Sequence, residues 1–357
     1  MTATRHGSPV LELLAREDTF QSLRDAASRL GRMYAVFLVD HGPASRSTHR
    51  FWWNHFDEAC RALGIPCARV SRFSAQWPPP ARDARTRVYL FFTARSLYRD
   101  RLSRRRSVPR EAVRACDIVA SWDPAVLEAF PDAQRFLIGF RSPQWMAQYG
   151  HGARWPVAVW EPFAPLAAVE AGLRDPQAQP AWDFTYFGSL TPHNYDLFRA
   201  ILRPLAARYH CRYGGKAWRV MALTPFLLGF SPHLVDEASG LDLLARGRVN
   251  LVLHNDYHRR AQSLTERLFI STALGRPVVC DNPGARRYFT PSEVPVGEDT
   301  ETFLALCEDA LRSLRQREEI ARTVQRKVWR SYTYLHTVVQ FLTDVDSTVP
   351  PRAGVSS

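Results

Sequence analysis

One segment, residues 249–280, constrains the fold of this 357-residue chain more than any other. Two short apolar runs rich in β-formers, residues 249–253 and 277–280, enclose a helix-patterned stretch. The helix is predicted to begin with the capping-box pattern Ser263-Leu-Thr-Glu266 and to end at Gly275. Strand, helix and strand in this order predict a βαβ unit of a parallel sheet.

The crossover of a βαβ unit aims the N-terminus of its helix at the carboxyl edge of the sheet, where open α/β sheets bind ligands. A helix N-terminus offers unpaired N–H groups and partial positive charge, which suit a phosphate. Arg267 lies in the first predicted turn and adds a guanidinium. We therefore predict a diphosphate site here, formed by Arg267 and the backbone of the residues before it. These residues are Ser263, Leu264, Thr265 and Glu266.

Apolar strand patterns alternate with helix patterns in two series along the chain, which predicts two doubly wound α/β domains. The first series places strands at residues 34–40, 67–70, 88–92, 117–120, 136–139 and 156–159. The second places them at residues 184–187, 211–213, 249–253, 277–280 and 294–296. The predicted organisation is a first domain at 1–166, a Pro- and Gln-rich linker at 167–181, a second domain at 182–331, a last helix at 332–346 and a disordered tail at 347–357.

The composition excludes several classes of protein. With 46% hydrophobic and 23% charged residues the chain is globular rather than disordered or fibrous. No apolar run reaches the roughly 18 residues of a membrane span, and the N-terminus lacks the apolar stretch of a signal peptide, so we expect a cytoplasmic protein. The six cysteines are scattered without a C-x-x-C pair, which favours reduced thiols over disulfides or structural zinc.

The net charge of +12 comes almost entirely from arginine, since Lys216 and Lys327 are the only lysines. Such an excess favours anionic ligands, whether nucleotide diphosphates, nucleic acid or acidic glycans. The densest basic run, residues 101–106, has no interleaved aromatic residues on which bases would stack. We interpret it as a solvated surface and do not expect nucleic acid as a partner.

The runs NLVLH at 250–254, SLTERLF at 263–269 and GRPVVCDN at 275–282 resemble the C-terminal half of spore-maturation-type (CgeB-like) glycosyltransferases. The likeness covers about residues 182–341. It implies a GT-B fold, in which two Rossmann-like domains face a cleft and the last helix crosses back to the first domain. It also implies transfer of a hexosyl or related sugar from a nucleotide-sugar donor, bound by the second domain, to an acceptor bound by the first. The acceptor class stays open, and no metal or other cofactor is expected.

The chain departs from this family at two positions. Many GT-B enzymes carry a ribose-binding Glu five residues before the helix-ending glycine, and another acidic residue eight positions earlier. Here Ile270 and Gln262 occupy those positions. Glu266, one helical turn before Ile270, is a candidate substitute for the ribose contact, although closing a capping box with Ser263 explains it equally well. The departure gives no support to a retaining mechanism.

Three further strand ends supply candidate donor-binding residues. Gly188 and Ser189 follow the strand at 184–187 and resemble the glycine turn that faces the donor in GT-B enzymes, or else form an ordinary βα loop. Lys216 follows a Gly-Gly turn after the strand at 211–213, and is either a phosphate ligand or a solvated cation. Trp218 is a candidate stacking surface for the base, or a packing residue.

At the end of the strand at 249–253, His254 and Asn255 are candidates for contact with the sugar hydroxyls or the diphosphate. His254 and His258 are four residues apart, a spacing that suits a metal on a helix. Their position at a strand-to-loop junction argues against a metal site.

A catalytic base is expected from the first domain. His41, directly after the first strand, has the unperturbed pKa suited to proton abstraction, and Asp40 is placed to orient it. Alternatively, His41 is a loop histidine without a catalytic role, whose side chain is hydrogen-bonded to the backbone. Asp123 is the rival base, and it too has a plain alternative as the cap of the following helix.

Two other functions remain open at this point. A sugar-nucleotide epimerase or hydrolase of the same fold would need additional carboxylates near the sugar, and no obvious pair is present. A degenerate transferase acting as a non-catalytic binding subunit is consistent with Ile270 and Gln262.

Residues 222–240, rich in Pro and Phe, are predicted to form a loop.

Overall fold

A computed structural model of the chain describes residues 18–40, 49–71, 85–91, 116–150, 154–174, 179–190, 195–215, 230–231 and 236–348. These residues divide into two compact units. The first unit consists of the described residues up to Arg141, the stretch Trp145–Glu161 and the residues from Tyr334 onward. The second unit consists of Ser142–Gln144 and Pro162–Thr333.

The first unit is built on a parallel six-stranded sheet in the order β2-β1-β3-β4-β5-β6. The strands are β1 (Tyr34–Asp40), β2 (Cys67–Ser71), β3 (Thr86–Phe91), β4 (Ile118–Ser121), β5 (Gln134–Gly139) and β6 (Val157–Val159). The helices are α1 (Asp18–Met33), α2 (His49–Ala62) and α3 (Pro124–Glu128). A short helix α4 (Pro143–Trp145), of which only Trp145 belongs to this unit, runs into a π-helical turn (Met146–Gly150). The last four residues of β3 and all of β4 are buried, as expected for parallel strands covered on both faces.

The C-terminal helix α12 (Tyr334–Thr348) packs within this first unit, as the family resemblance implied. Phe341 packs edge-on against Phe56 and Trp160, which stack on each other at 4.8 Å between ring centroids. The carboxylate of Asp344 accepts the backbone N–H of Val159 at 2.9 Å. The chain therefore completes its first domain with its last helix.

The second unit contains a parallel five-stranded sheet in the order β11-β10-β7-β8-β9. Its strands are β7 (Trp182–Phe187), β8 (Cys211–Gly214), β9 (Phe230–Ser231), β10 (Gly247–Val252) and β11 (Val278–Cys280). Its helices are α5 (Leu166–Arg174), α6 (Tyr195–Arg208), α7 (Glu237–Ala245), α8 (Asp256–Arg260), α9 (Glu266–Ala273), α10 (Thr300–Arg312) and α11 (Leu314–Ser331), with a 3-10 turn at Pro283–Arg287. This strand order is that of a Rossmann-like fold, with the change of direction between β7 and β10.

The far end of α9 is fixed to α11. Its last carbonyl, that of Ala273, accepts hydrogen bonds from the Gln325 amide and the Trp329 indole, each at 3.0 Å. Gln325 is nearly fully buried, so this contact is sheltered from water. The two donors satisfy a carbonyl that the end of a helix leaves without an intrahelical partner.

The two-domain α/β fold and the predicted strands are confirmed, with three local differences. The segment 294–296 forms only an isolated bridge, between Val296 and Cys280. The first part of the predicted linker 167–181 lies in α5, which packs in the second unit through aliphatic residues such as Val169. The predicted loop 222–240 includes β9 and the start of α7, where the Asp236 carboxylate caps the helix.

Two expectations about the chain as a whole can be compared with the structure. None of the six cysteines, all within the described ranges, forms a disulfide. Among the described residues, no helix combines the length and the apolar character needed to cross a bilayer.

Candidate functional site

The candidate site lies at the carboxyl edge of the second sheet, where the strand order changes direction. There β7 ends at Phe187 and continues into Gly188, while β10 ends at Val252 and continues towards His254. Neighbouring strands whose connections leave in opposite directions open a crevice at this edge, and ligands of open α/β sheets bind in it. The predicted donor-binding residues that the structure describes all belong to the second unit.

Arg267 is held at this crevice by Tyr186, a residue of β7 that we did not predict. The Arg267 Nη1 group donates to the Tyr186 hydroxyl at 2.7 Å, and the guanidinium lies 5.6 Å from the centroid of the tyrosine ring. Tyr186 is fully buried, and burial raises the pKa of its phenol, so the hydroxyl stays neutral. A buried aromatic support therefore fixes the cation at the crevice.

Gly188 leaves the space that this arrangement requires. A β-carbon added at Gly188 would overlap both Nη1 of Arg267 and the hydroxyl of Tyr186. The N–H of Gly188 donates to the Gly214 carbonyl at 3.0 Å, and a β-carbon at Gly215, whose φ is +134°, would overlap the Gly188 carbonyl. The Gly-Gly turn after β8 is thus explained by close contact with the backbone of Gly188.

We expect Gly188→Ala to displace the Arg267 guanidinium and to weaken binding of a nucleoside diphosphate about tenfold, because the added methyl group occupies its place. Isothermal titration would measure the change. Gly31→Ala is the matched control, since a β-carbon there meets its nearest atom at 3.4 Å. Equal affinity in the Gly188 variant and wild type would show that Arg267 does not need this space.

His254 is fully buried and bonded to Asp281, so it is not aimed freely at a ligand. Its backbone N–H donates to both carboxylate oxygens of Asp281, at 3.0 and 2.9 Å, and its Nδ1 lies 2.7 Å from Asp281 Oδ1. Burial lowers the pKa of His254, so the ring stays neutral. Its Nε2 faces the Thr265 hydroxyl at 3.4 Å.

Sequence reasoning missed Asp281, although a signal was available. Asp281 directly follows β11, the strand paired in parallel with β10, so its position places it beside His254 at the same sheet edge. An acidic residue directly after a buried strand is the pattern that could have identified it. Asn255, predicted to reach the sugar, instead caps α8 by accepting the backbone N–H of His258 at 3.0 Å.

The start of α9 differs from the prediction. The helix begins at Glu266 with Thr265 as its N-cap residue, so the predicted capping box between Ser263 and Glu266 is wrong. Ser263 is fully buried, and its hydroxyl bonds the Nδ1 of His258 at 2.8 Å. The remaining alternative for Glu266, a contact with the donor ribose, stays a prediction.

The side chain of Asn282 explains why the helix starts late. Its Nδ2 donates to the backbone carbonyls of His258 and Ser263, at 3.1 and 2.8 Å, and so clamps the loop between α8 and α9. Within this loop Gln262 adopts a left-handed conformation with a φ of +47°. Such a conformation is uncommon for a residue with a side chain and persists only where neighbouring contacts impose it.

One group of described residues has metal-ligand atoms close together. These atoms, from His254, Cys280 and Asp281, lie within 4.8 Å of one another, and all three residues are buried. The histidine Nδ1 and the carboxylate already bond each other, and burial raises the pKa of the Cys280 thiol. Their donor and acceptor groups are therefore engaged within the protein. His258, the other histidine of the predicted spacing, has its Nδ1 engaged by Ser263, and burial lowers its pKa to about 3.

The remaining predicted residues are placed as follows. Asp40 is the last residue of β1, and the strand order of the first sheet changes direction between β1 and β3. His41, Lys216 and Trp218 lie outside the described residues. Asp123 caps α3, because its carboxylate accepts the backbone N–H of Ala125 at 3.0 Å.

Comparison with known families finds one similarity, which covers most of the second unit. Residues 194–343 match the family model described as "Glycosyl transferase-like". This part of the chain is therefore similar to glycosyltransferases in sequence. The match includes both the βαβ unit with Arg267 and the beginning of α12. No curated protein sequence matches the chain significantly.

Two solved structures resemble the fold over most of the chain. AviGT4, a glycosyltransferase involved in avilamycin A biosynthesis, aligns with a TM-score of 0.55 at 15% identity, covering 88% of this chain and 97% of its own. Alr3699/HepE from Anabaena, solved in complex with UDP and glucose, aligns with a TM-score of 0.53 at 10% identity, covering 88% and 100%. These likenesses establish the GT-B type of fold, with two Rossmann-like domains.

Proposed function

We propose that this protein transfers a sugar from a nucleotide-diphosphate sugar to an acceptor hydroxyl, without a metal or other resident cofactor. The observation that carries the proposal is the position of Arg267. Its guanidinium is fixed by Tyr186 in the first turn of α9, at the change of strand order between β7 and β10. The glycosyltransferase-like match over residues 194–343, and the UDP bound by the similar HepE structure, support this assignment.

In the proposed reaction Arg267 and the backbone N–H groups at the start of α9 bind the diphosphate. Negative charge develops on this group as the bond to the sugar breaks, so fixed positive groups lower the barrier. The guanidinium of Arg267 forms bidentate hydrogen bonds to phosphate oxygens, a geometry that a lysine cannot reproduce. Glu266, also in the first turn, is the proposed ribose contact.

The acceptor would bind to the first domain, with a general base that takes the proton of its hydroxyl. We retain His41, oriented by Asp40, as the proposed base, and Asp123 as its rival, although Asp123 is engaged as a helix cap. Within the glycosyltransferases, the motifs around residues 250–282 favour the CgeB-like type.

The test is a thermal-shift panel of nucleoside diphosphates and their sugars, followed by measurement of nucleoside-diphosphate release. A ligand that binds only the folded protein raises its melting temperature by mass action. We expect one nucleoside diphosphate to stabilise the protein, and its sugar to be consumed when acceptor is present, also with a chelator added. Failure of every nucleotide to stabilise the protein would contradict the proposal.

The second candidate is a degenerate transferase that binds donor without turning it over. The observation that favours it is the pair Gln262 and Ile270, at positions where many enzymes of this fold have acidic residues. Stabilisation by a nucleotide sugar without transfer to any acceptor would identify this case. Interconversion or hydrolysis of the sugar nucleotide alone would instead identify an epimerase or hydrolase.

A further inference from the structure

Four polar side chains form a continuous chain from the interior to the candidate site. Asp281 Oδ1 lies 2.7 Å from Nδ1 of His254. On the other side of the ring, Nε2 of His254 lies 3.4 Å from Oγ1 of Thr265. That oxygen in turn lies 3.4 Å from Nε of Arg267. Asp281 and His254 are buried, whereas Thr265 and Arg267 are half-buried, so the chain ends at a surface that a ligand can reach.

The chemistry of these groups determines the direction of each hydrogen bond. A carboxylate only accepts, so Nδ1 of His254 must carry the ring proton. Burial lowers the pKa of His254 and keeps the ring neutral, so Nε2 has no proton and must accept. The hydroxyl of Thr265 therefore donates its single proton to Nε2.

This direction leaves the Thr265 hydroxyl as an acceptor towards the site. Its proton is engaged by His254, and one lone pair accepts from Nε of Arg267. The remaining lone pair repels phosphate oxygens, which also only accept, but it can accept a hydrogen bond from a hydroxyl group. The backbone N–H groups of the first turn have the opposite polarity and suit phosphate.

We propose that Thr265 is a specificity-determining residue that accepts a hydrogen bond from a hydroxyl of the transferred sugar, and that Asp281 and His254 position it for this role. The inference rests on the proposed function, because it concerns the same nucleotide-sugar site. It assigns the diphosphate to the helix start with Arg267 and the sugar to the threonine hydroxyl. Asp281 and His254 act through Thr265 and are positioning residues.

The first test is Thr265→Val, which keeps the shape of the side chain and removes its hydroxyl. We expect affinity for the nucleotide sugar to fall about tenfold and affinity for the matching nucleoside diphosphate to change less than about twofold. Thr265→Ser should retain the wild-type preference. Thr272→Val is the matched control, because the Thr272 hydroxyl bonds the carbonyls of its own helix and should not affect either ligand.

The second test is Asp281→Asn, with the amide nitrogen directed at Nδ1 of His254. That nitrogen donates, so the ring proton moves to Nε2 and the Thr265 hydroxyl is released as a donor. We expect the ratio of the affinities for nucleotide sugar and nucleoside diphosphate to fall by a factor similar to that for Thr265→Val. In the Thr265→Val background, Asp281→Asn should leave this ratio unchanged.

These outcomes separate the inference from the proposed function. Equal weakening of both ligands by Thr265→Val would overturn the inference, because the hydroxyl would then contact the nucleotide part. Unchanged affinity for the nucleotide sugar in this variant would overturn the inference as well. Absence of any nucleotide binding to the wild-type protein would contradict the proposed function, and the inference with it.

Discussion

Replacing Arg267 by alanine is expected to weaken binding of a nucleoside diphosphate about a hundredfold, since charge-assisted hydrogen bonds contribute about 1.5–3 kcal/mol each. The guanidinium is held by the Tyr186 hydroxyl at 2.7 Å and by ring contact, so it needs little reorganisation to meet a phosphate. Calorimetric titration with the nucleoside diphosphate identified by thermal shift would measure the loss. Circular dichroism should show an unchanged fold.

Arg248→Ala is the matched control for this prediction. Arg248 is also an arginine of the second sheet, but it lies near the start of β10, away from the carboxyl edge, and pairs with Asp183 at 3.0 Å. Its removal lowers the net charge by the same amount without touching the site. We expect less than about a twofold change, as for a distant screened charge. Equal losses in the two variants would mean that Arg267 acts only through overall charge.

Replacing Asp281 by alanine is expected to lower the free energy of unfolding by about 3 kcal/mol, the order of cost of breaking a buried polar pair. The carboxylate accepts two donors of His254, the backbone N–H, which both oxygens share, and the ring Nδ1–H, and all these groups lie away from solvent. Alanine would leave the buried N–H groups of His254 without their acceptor. Urea denaturation followed by tryptophan fluorescence would measure the loss.

Asp242→Ala is the control for this stability experiment. Asp242 lies on α7 with a side chain 69% exposed and a distant pair to Arg246 at 3.8 Å. Its removal should cost less than about 0.5 kcal/mol, as is usual for exposed ion pairs. A loss below about 1 kcal/mol in the Asp281 variant would show that the His254 donors find other acceptors.

The sequence was sufficient to predict the fold because parallel strands buried on both faces leave a strong signal. β1 is apolar over residues 34–39 and β3 over residues 88–91, and the helices between the strands have periodic apolar positions. In a βαβ unit the helix after β10 begins at the carboxyl edge of that strand, and in the sheet β10 lies beside β7. Arg267 was therefore predictable as a residue at the carboxyl edge.

The internal contacts of the site were not predictable in the same way. Asp281 and His254 are 27 residues apart, and Tyr186 and Arg267 are 81 apart, so no local spacing indicates that they meet. The late start of α9 has the same cause. The local pattern favours a capping box at Ser263, but the side chain of Asn282, from beyond the next strand, imposes another conformation.

The hydrogen bonds of Gln325 and Trp329 to the Ala273 carbonyl affect which ligands can be selected. Because two side chains of α11 hold the far end of α9, the helix cannot slide along its axis without breaking both hydrogen bonds. The guanidinium at its other end is therefore preorganised, and docking a donor would consume little conformational entropy there. A donor whose diphosphate is oriented differently would have to adapt to this rigid helix end, so discrimination there would arise from stiffness rather than from induced fit.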